Sequence, residues 1–151
     1  MRLRYYKKDK AFLTKPLEEV GIAEANLVAY QLRKALLVKT ISLKNPVGLA
    51  SNQIGLTAPV FIALINNKWE TFINPRLEKK SKETINYREG CLSLPSNRTY
   101  FTKRYKWVVV SYLKENGKRT NQKFEGHESV IVQHEIDHLN GKLCKEGGIN
   151  E

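Results

Sequence analysis

Apolar and polar positions repeat with a helical period near the start of the chain. Between about residues 23 and 43, apolar side chains recur at approximately helical spacing. These positions are Ala23, Leu27, Tyr30, Leu32, Ala35, Leu36 and Leu37. The pattern predicts a helix there, ended by Pro46 and Gly48. A second helix is predicted over about 127–140, whereas residues 1–22 are expected to be irregular.

The middle of the chain has short apolar runs that are typical of β-strands. Residues 60–65 and 69–73 flank an Asn66-Asn67 turn, and Asn74-Pro75 is expected to close the second strand. Asn116-Gly117 is a strong hairpin signal. Further strands are predicted at 84–87, 107–113 and 122–124.

The chain contains no internal repeat, no low-complexity tract and no interdomain linker. Its 151 residues can bury a core without disulfides. We therefore predict one domain over 1–151, of the α+β class. No apolar run approaches the length of a bilayer span, and the basic N-terminus lacks the features of a secretory signal. The expected location is the cytoplasm.

The chain is strongly basic. It has 26 Lys and Arg residues against 15 Asp and Glu residues, a net charge of +11. Such a charge favours electrostatic association with a polyanion such as the ribosome. The basic residues are scattered and no RNA-binding motif is present, so specific nucleic-acid recognition is not expected. We expect a monomer.

The clearest chemical signal is an HExxH motif, in which residues 133–138 are Gln-His-Glu-Ile-Asp-His. On a helix, His134 and His138 lie one turn apart on the same face, so both can bind one metal ion. Glu135 then lies beside the open coordination position, where a carboxylate can take a proton from water. The motif predicts a metal-dependent hydrolase and leaves the third protein ligand open.

Four residues are candidates for that third ligand: Cys91, Cys144, Glu146 and Glu151. A disulfide between the two cysteines is not expected in a cytoplasmic protein. Cys144 extends the motif to HExxHxxGxxC, which has the spacing of metzincin proteases with Cys in place of the third His.

Physical constraints favour Cys91 among these candidates. Metzincins need a methionine-containing turn beneath the metal, and the only methionine of this chain is Met1. Glu146 and Glu151 belong to a short Gly-containing tail, which is a poor base for a preorganised ligand. Cys144 stays open as the alternative.

Three segments together resemble the peptide deformylase family. Residues 48–53, 89–93 and 133–141 are similar to its GLAAxQ, EGCLS and QHExDHLxG motifs, in the same order and with similar separations. Residues 73–75 also resemble its INP segment. The resemblance implies a fold in which antiparallel sheets surround a central HExxH helix. It also implies removal of the formyl group from N-formylmethionyl nascent peptides, with release of formate.

The resemblance also implies roles for individual residues. Cys91, His134 and His138 would be the protein ligands of one divalent ion, with water as the fourth ligand. Fe²⁺ is the expected ion, and thiolate and imidazole ligands also suit Zn²⁺, Ni²⁺ and Co²⁺. Glu135 would be the general base and then the acid that protonates the departing amine.

By the same resemblance, the Gln53 amide and the Leu92 backbone N–H would stabilise the oxyanion. Gly48 would let the substrate backbone approach closely. Four further positions border the pocket for the methionine side chain: Val47, Arg98, Val130 and Ile131.

The sequence departs from the family pattern at several positions. Pro46 stands where the first motif commonly begins with Gly, and it removes one N–H donor. Ser51 replaces an alanine. Only residues 142–151 follow the last motif, as in compact deformylases encoded by some phages, so docking to the ribosome through a C-terminal helix is not expected. Asp137 is expected to orient a histidine or to hold the helix.

Two other functions compete with this interpretation. One is an HExxH metallopeptidase with Cys144 as its third ligand. The other is a non-catalytic, basic ribosome-associated protein of the same fold. Against the latter, every residue that the chemistry requires is present.

Overall fold

The computed structural model describes residues 2–149. The helices are α1 (Tyr6–Leu13), α2 (Ile22–Ala35), α3 (Lys39–Ser42) and α4 (Gly126–Leu139). The strands are β1 (Gly48–Ala50), β2 (Val60–Ile65), β3 (Lys68–Lys80), β4 (Thr84–Glu89), β5 (Tyr100–Tyr105), β6 (Trp107–Leu113) and β7 (Arg119–Glu125). Short 3-10 helical turns occupy Ser51–Ile54 and Cys144–Glu146.

The strands form two antiparallel sheets. The large sheet has the order β1-β2-β3-β6-β7, and the small sheet consists of β4 and β5. Helix α2 contacts β2, and α4 contacts β1, β2, β5, β6 and β7. Antiparallel sheets around a central HExxH helix were expected, and this expectation is confirmed.

Strand β2 shows why the large sheet has helices on both faces. Successive side chains of a strand point to opposite faces. Val60 and Ile62 belong to the core cluster that contains Leu32 of α2. Phe61, between them, belongs to the cluster that contains Val132 of α4. A strand that is apolar at every position is thus buried on both sides.

An aromatic cluster crosses the face of the large sheet that supports α4. Phe61 and Phe72 stack with ring centroids 4.4 Å apart, and Phe72 lies 4.4 Å from the ring of Tyr112. Phe124 is the next ring, 5.6 Å from Phe72. These rings come from β2, β3, β6 and β7, so they tie four strands into one rigid platform.

Several elements differ from the sequence predictions. Helix α1 lies in the segment that was expected to be irregular. The helix predicted over 23–43 is broken between α2 and α3, because Val38 has an extended backbone (φ −72°, ψ 124°). Leu37 is 84% exposed, so no buried face continues through the break. Strand β5 was not predicted.

Asn74-Pro75 does not end the second strand, so that prediction was wrong. β3 continues through it with a shift of register between Ile73 and Arg76. Asn74 has a φ of +45°. Its side chain accepts a hydrogen bond from the Val20 N–H (3.2 Å) and donates one to the Val20 carbonyl (2.8 Å). Turn-forming residues therefore make an irregularity inside a long strand.

The predicted hairpin turn and the predicted second helix agree with the structure. Asn116-Gly117 forms the turn between β6 and β7, where Gly117 has a φ of +84°. Helix α4 begins and ends within one residue of its predicted limits. Across residues 2–149, no helix combines the length and the apolar character that a bilayer crossing requires. The extent of the domain, 1–151, stays a prediction.

Candidate active site

Helix α4 carries the two histidines of the HExxH motif. His134 and His138 lie one turn apart, with their Nε2 atoms 3.2 Å from each other. Their rings meet edge to face with centroids 4.9 Å apart. His138 is fully buried, and this burial lowers its pKa well below the ordinary value. A neutral imidazole is the form that binds a metal ion.

Cys91, just after β4, completes a possible metal site. Its Sγ lies 3.3 Å from His138 Nε2, and the ligand atoms of Cys91, His134 and His138 all lie within 4.8 Å of one another. In a tetrahedral site with usual bond lengths, two nitrogen ligands lie about 3.3 Å apart and a sulfur and a nitrogen about 3.6 Å apart. The three donors therefore fit one divalent ion.

The other third-ligand candidates are placed differently. Cys144 is buried and groups with Glu89 and His134. Among residues 2–149, the group that holds both motif histidines contains Cys91 instead. Glu146 is exposed and belongs to neither group. Glu151 lies outside the described residues.

Glu89 fixes the orientation of His134. Its carboxylate accepts a hydrogen bond from His134 Nδ1 at 2.7 Å. Because Nδ1 carries the hydrogen, the lone pair of Nε2 is directed toward Cys91 and His138. The side chain of Glu89 is buried, and it comes from the last residue of β4.

Arg104 of β5 neutralises Glu89 inside the protein. Its guanidinium donates to the Glu89 carboxylate from Nε at 2.7 Å and from Nη2 at 2.9 Å, and Nη1 donates to Asp137. Thr102 donates a further hydrogen bond to Glu89. Arg104 is only 2% exposed. Asp137 thus anchors the helix through Arg104, one of the two roles expected for it.

The two glutamates of the site have opposite pKa shifts. Burial opposes ionisation of Glu89, but hydrogen bonds from His134 and Arg104 outweigh it and lower the pKa to about 2. Burial raises the pKa of Glu135 to about 7. Its Oε1 is buried and has no hydrogen-bond partner among residues 2–149. Glu89 is therefore a fixed anion, whereas Glu135 can gain and lose a proton near neutral pH.

Gln53 presents its amide nitrogen to the site. Its Oε1 accepts a hydrogen bond from the Ala50 N–H at 3.0 Å, which fixes the orientation of the amide. Its Nε2 then lies 3.1 Å from Ser93 Oγ and 3.7 Å from Cys91 Sγ. Leu92 follows Cys91 directly and lines the same cleft. Two potential donors thus lie beside the candidate metal ligands.

Gly48 lies directly against Glu135. A Cβ atom at Gly48 would stand 2.6 Å from Glu135 Oε2, closer than real Cβ atoms come to their neighbours. Any larger residue at this position would therefore displace the Glu135 side chain.

A cleft of about 530 Å³ brings the predicted site residues together. All four predicted pocket residues line it, as do Gly48, Gln53, Cys91, Leu92, His134 and Glu135; the four are Val47, Arg98, Val130 and Ile131. His138 is fully buried beneath the cleft.

Sequence reasoning missed Glu89 and Arg104 as functional residues. Glu89 stands in a motif that resembles the family's EGCLS segment, so a signal for it was present. Arg104 lies on a strand that was not predicted, and its polar pattern gave no signal. Tyr87 and His127, which also line the cleft, were missed as well.

Comparison with known proteins gives matching relatives. The family model described as polypeptide deformylase matches residues 3–147. The chain is 42% identical over 99 residues to "Peptide deformylase" of Treponema pallidum (strain Nichols), covering 64% of this chain and 59% of that protein. The matches thus span less than two thirds of the length of the first curated relatives.

Solved structures match over nearly the whole chain. Peptide deformylase from Thermotoga maritima has a TM-score of 0.85 at 28% identity, covering 99% of this chain and 97% of that chain. The enzyme of the Vibrio parahaemolyticus bacteriophage VP16T, solved with actinonin, has a TM-score of 0.81 at 28% identity, covering 95% and 99%. Because the family model matches residues 3–147, the chain belongs to the polypeptide deformylase family.

Proposed function

We propose that this protein hydrolyses the formyl amide of N-formylmethionyl nascent peptides and releases formate. The observation that carries the proposal is the convergence of Cys91, His134 and His138 beside Glu135 in an open cleft. Membership of the polypeptide deformylase family supports it.

Cys91, His134 and His138 would hold the metal ion, and we propose Fe²⁺, with Zn²⁺, Ni²⁺ or Co²⁺ as substitutes. When bound, the ion supplies a Lewis acid that polarises the formyl carbonyl and makes water more acidic. Glu89 holds His134 in the tautomer that the site needs.

Glu135 would move the proton of the reaction. As a carboxylate it takes a proton from the attacking water, and it then returns that proton to the nitrogen of the departing amine. Its buried position beside Gly48 places it in the cleft, and its pKa of about 7 suits both halves of the transfer.

Gln53 and Leu92 would stabilise the negative charge on the formyl oxygen. The amide of Gln53 is already fixed by its bond to Ala50, so it donates without reorganisation. Loss of one such donor typically lowers the rate by about 100- to 1,000-fold.

Strand β1 would bind the substrate backbone. Among residues 2–149 it is an edge strand that pairs with β2 on one side, so its other edge can pair with an extended peptide. Val47, Arg98, Val130 and Ile131 would border the side chain of the first residue. Pro46 lacks an N–H, so pairing with the peptide would begin after it.

The deciding experiment measures formate release from formyl-Met-Ala-Ser by anaerobically purified, Fe²⁺- or Ni²⁺-loaded protein, with chromatography of the peptide. We expect formate together with intact Met-Ala-Ser. Glu135→Gln should abolish release with the metal still bound, whereas the exposed Glu146→Gln should behave like the wild type. Absence of formate with metal bound would contradict the proposal.

A metallopeptidase with Cys144 as ligand would give a different result. It would cleave Met-Ala-Ser, and Cys91→Ser would leave its metal in place. Under our proposal Cys91→Ser loses the metal, whereas Cys144→Ser retains it. A non-catalytic function would instead survive Glu135→Gln.

We further propose a cytoplasmic monomer that associates with ribosomes by charge alone. The net charge of +11 supports this. Cosedimentation with ribosomes should disappear at high salt, because salt screens such contacts. Cosedimentation that persists at high salt would contradict the proposal.

A further inference from the structure

Ser93 carries a buried hydroxyl beside the candidate site, and no step of the proposed reaction uses it. Its Oγ accepts a hydrogen bond from Gln53 Nε2 at 3.1 Å, and the residue is only 1% exposed. Ser93 lies in a tight turn in which the Leu94 N–H donates to the Cys91 carbonyl at 3.1 Å. The turn therefore carries a candidate metal ligand, Cys91, and the proposed donor Leu92 together with this hydroxyl.

The side-chain amide of Gln53 is held at both of its ends. The Ala50 N–H donates to its Oε1 at 3.0 Å, and Ser93 Oγ accepts one of the two hydrogens on its Nε2. The second hydrogen is left for the other neighbour of Nε2, the Cys91 sulfur, which lies 3.7 Å away. Because Cys91 is a candidate metal ligand, this second N–H is directed to the side of the site where the formyl oxygen would bind.

The N-terminal segment holds the backbones of Gln53 and Ser93 next to each other. The Arg4 N–H donates to the Gln53 carbonyl at 2.6 Å, and the Tyr6 N–H donates to the Ser93 carbonyl at 2.9 Å. Leu3, just before them, is 5% exposed and belongs to the hydrophobic core. The 3-10 turn after β1 and the turn after β4 are thus fixed side by side, although they lie 40 residues apart in sequence.

We propose that Ser93 is a positioning residue, which holds one hydrogen of the Gln53 amide so that the other faces the formyl oxygen. This proposal rests on the proposed function, because it gives Ser93 a part in the same oxyanion stabilisation. A donor that is already oriented acts without reorganisation at the moment of reaction. Ser93 acts through Gln53 and does not itself contact the formyl oxygen.

The first test is Ser93→Ala, which removes the hydroxyl and keeps the backbone of the turn. We expect kcat on formyl-Met-Ala-Ser to fall about tenfold with KM nearly unchanged, because the lost hydrogen bond orients a donor that acts in the transition state. Ser51→Ala is the matched control, since the Ser51 hydroxyl is also buried but donates to the Ala58 carbonyl. This control should leave kcat unchanged.

A double-mutant cycle separates positioning from a general structural effect. If Ser93 acts through Gln53, Ser93→Ala should lower kcat no further in a protein that already carries Gln53→Ala. Each kcat is expressed per bound metal ion, measured by atomic absorption. A loss by the same factor in both backgrounds would overturn the proposal, and so would a wild-type kcat in Ser93→Ala alone.

NMR of the Zn²⁺-loaded protein tests the contact without the reaction. The side-chain amide protons of Gln53 should exchange with solvent about tenfold faster in Ser93→Ala, because the hydrogen bond that protects one of them is lost. Ser51→Ala should not change this rate. Unchanged exchange in Ser93→Ala would overturn the proposal. If the wild type releases no formate, the proposed function is wrong, whereas faster exchange would still support the positioning of the amide by Ser93.

Discussion

The two sheets of this protein bury side chains of opposite chemical character. The large sheet buries aromatic and aliphatic side chains, with Phe72 in contact with three other rings. The small sheet buries a carboxylate and a guanidinium instead, Glu89 and Arg104, together with Thr102. One sheet is a platform for α4, and the other orients a histidine on that helix.

The difference shows how stability and function are distributed between the sheets. Apolar packing is non-directional, so the large sheet tolerates changes that preserve volume. A buried ion pair is stable only while both partners and their hydrogen bonds are present. Substitutions in the small sheet should therefore matter even when they exchange a single polar atom. Substitutions in the large sheet should matter when they change the volume of a side chain.

The largest effect is expected from Phe72→Ala in the large sheet. Removing the central ring of the aromatic cluster should lower the free energy of unfolding by about 3–5 kcal/mol, measured by urea denaturation. Phe101→Ala on β5 is the matched control, since Phe101 is 72% exposed, and it should change stability by less than about 0.5 kcal/mol. Equal losses of stability in Phe72→Ala and Phe101→Ala would contradict the inference that the large sheet depends on the volume of its buried rings.

Next in size is Gln53→Ala, at the 3-10 turn that follows β1. We expect kcat on formyl-Met-Ala-Ser to fall by about 100- to 1,000-fold, because the substitution removes the proposed oxyanion donor. Metal content, measured by atomic absorption, should be unchanged. A variant with near-normal kcat would show that Gln53 is structural, through its hydrogen bonds with Ala50 and Ser93.

A smaller effect is expected from Glu89→Gln in the small sheet. The amide nearly preserves shape but cannot balance the charge of Arg104 or fix His134 as firmly, so Zn²⁺ affinity should fall by about 10- to 100-fold. Competition with a chromogenic chelator measures this. Glu83→Gln is the control, because Glu83 is an exposed residue just before β4 that pairs with Lys106. An unaltered Zn²⁺ affinity in Glu89→Gln would show that the small sheet does not support the metal site.

The smallest effect is a dependence on pH. Glu135 acts as a base only when deprotonated, and burial raises its pKa to about 7. A bound cation favours the carboxylate, so kcat/KM should fall on the acid side of a pKa at or below about 7, by about tenfold per pH unit. A kcat/KM that rises as the pH is lowered from 8 to 5, at constant metal content, would contradict Glu135 as the base.

Sequence patterns predicted the large sheet better than the small one. The apolar runs of β2 and β6 are visible because their side chains face cores. On β5, the inward positions are Thr102 and Arg104, so alternation of apolar and polar residues is lost and the strand was missed. Helix α1 was missed because Leu13 is its only buried residue.

The candidate site was predictable where its residues stand in motifs. Four motif residues, Gln53, Cys91, His134 and Glu135, come together in the cleft as the resemblance implied. Contacts that depend on tertiary pairing could not be predicted. Arg104 reaches Glu89 because β4 and β5 pair side by side. This pairing cannot be read from the spacing of residues along the chain.

The free edge of β1 also bears on the behaviour of the protein at high concentration. An unpaired strand edge can template pairing with another copy, which leads to aggregation. Here β1 has only three residues, and Pro46 stands just before it without an N–H to offer. We therefore expect an edge long enough to capture the first residues of an extended peptide and too short to nucleate a continuous intermolecular sheet.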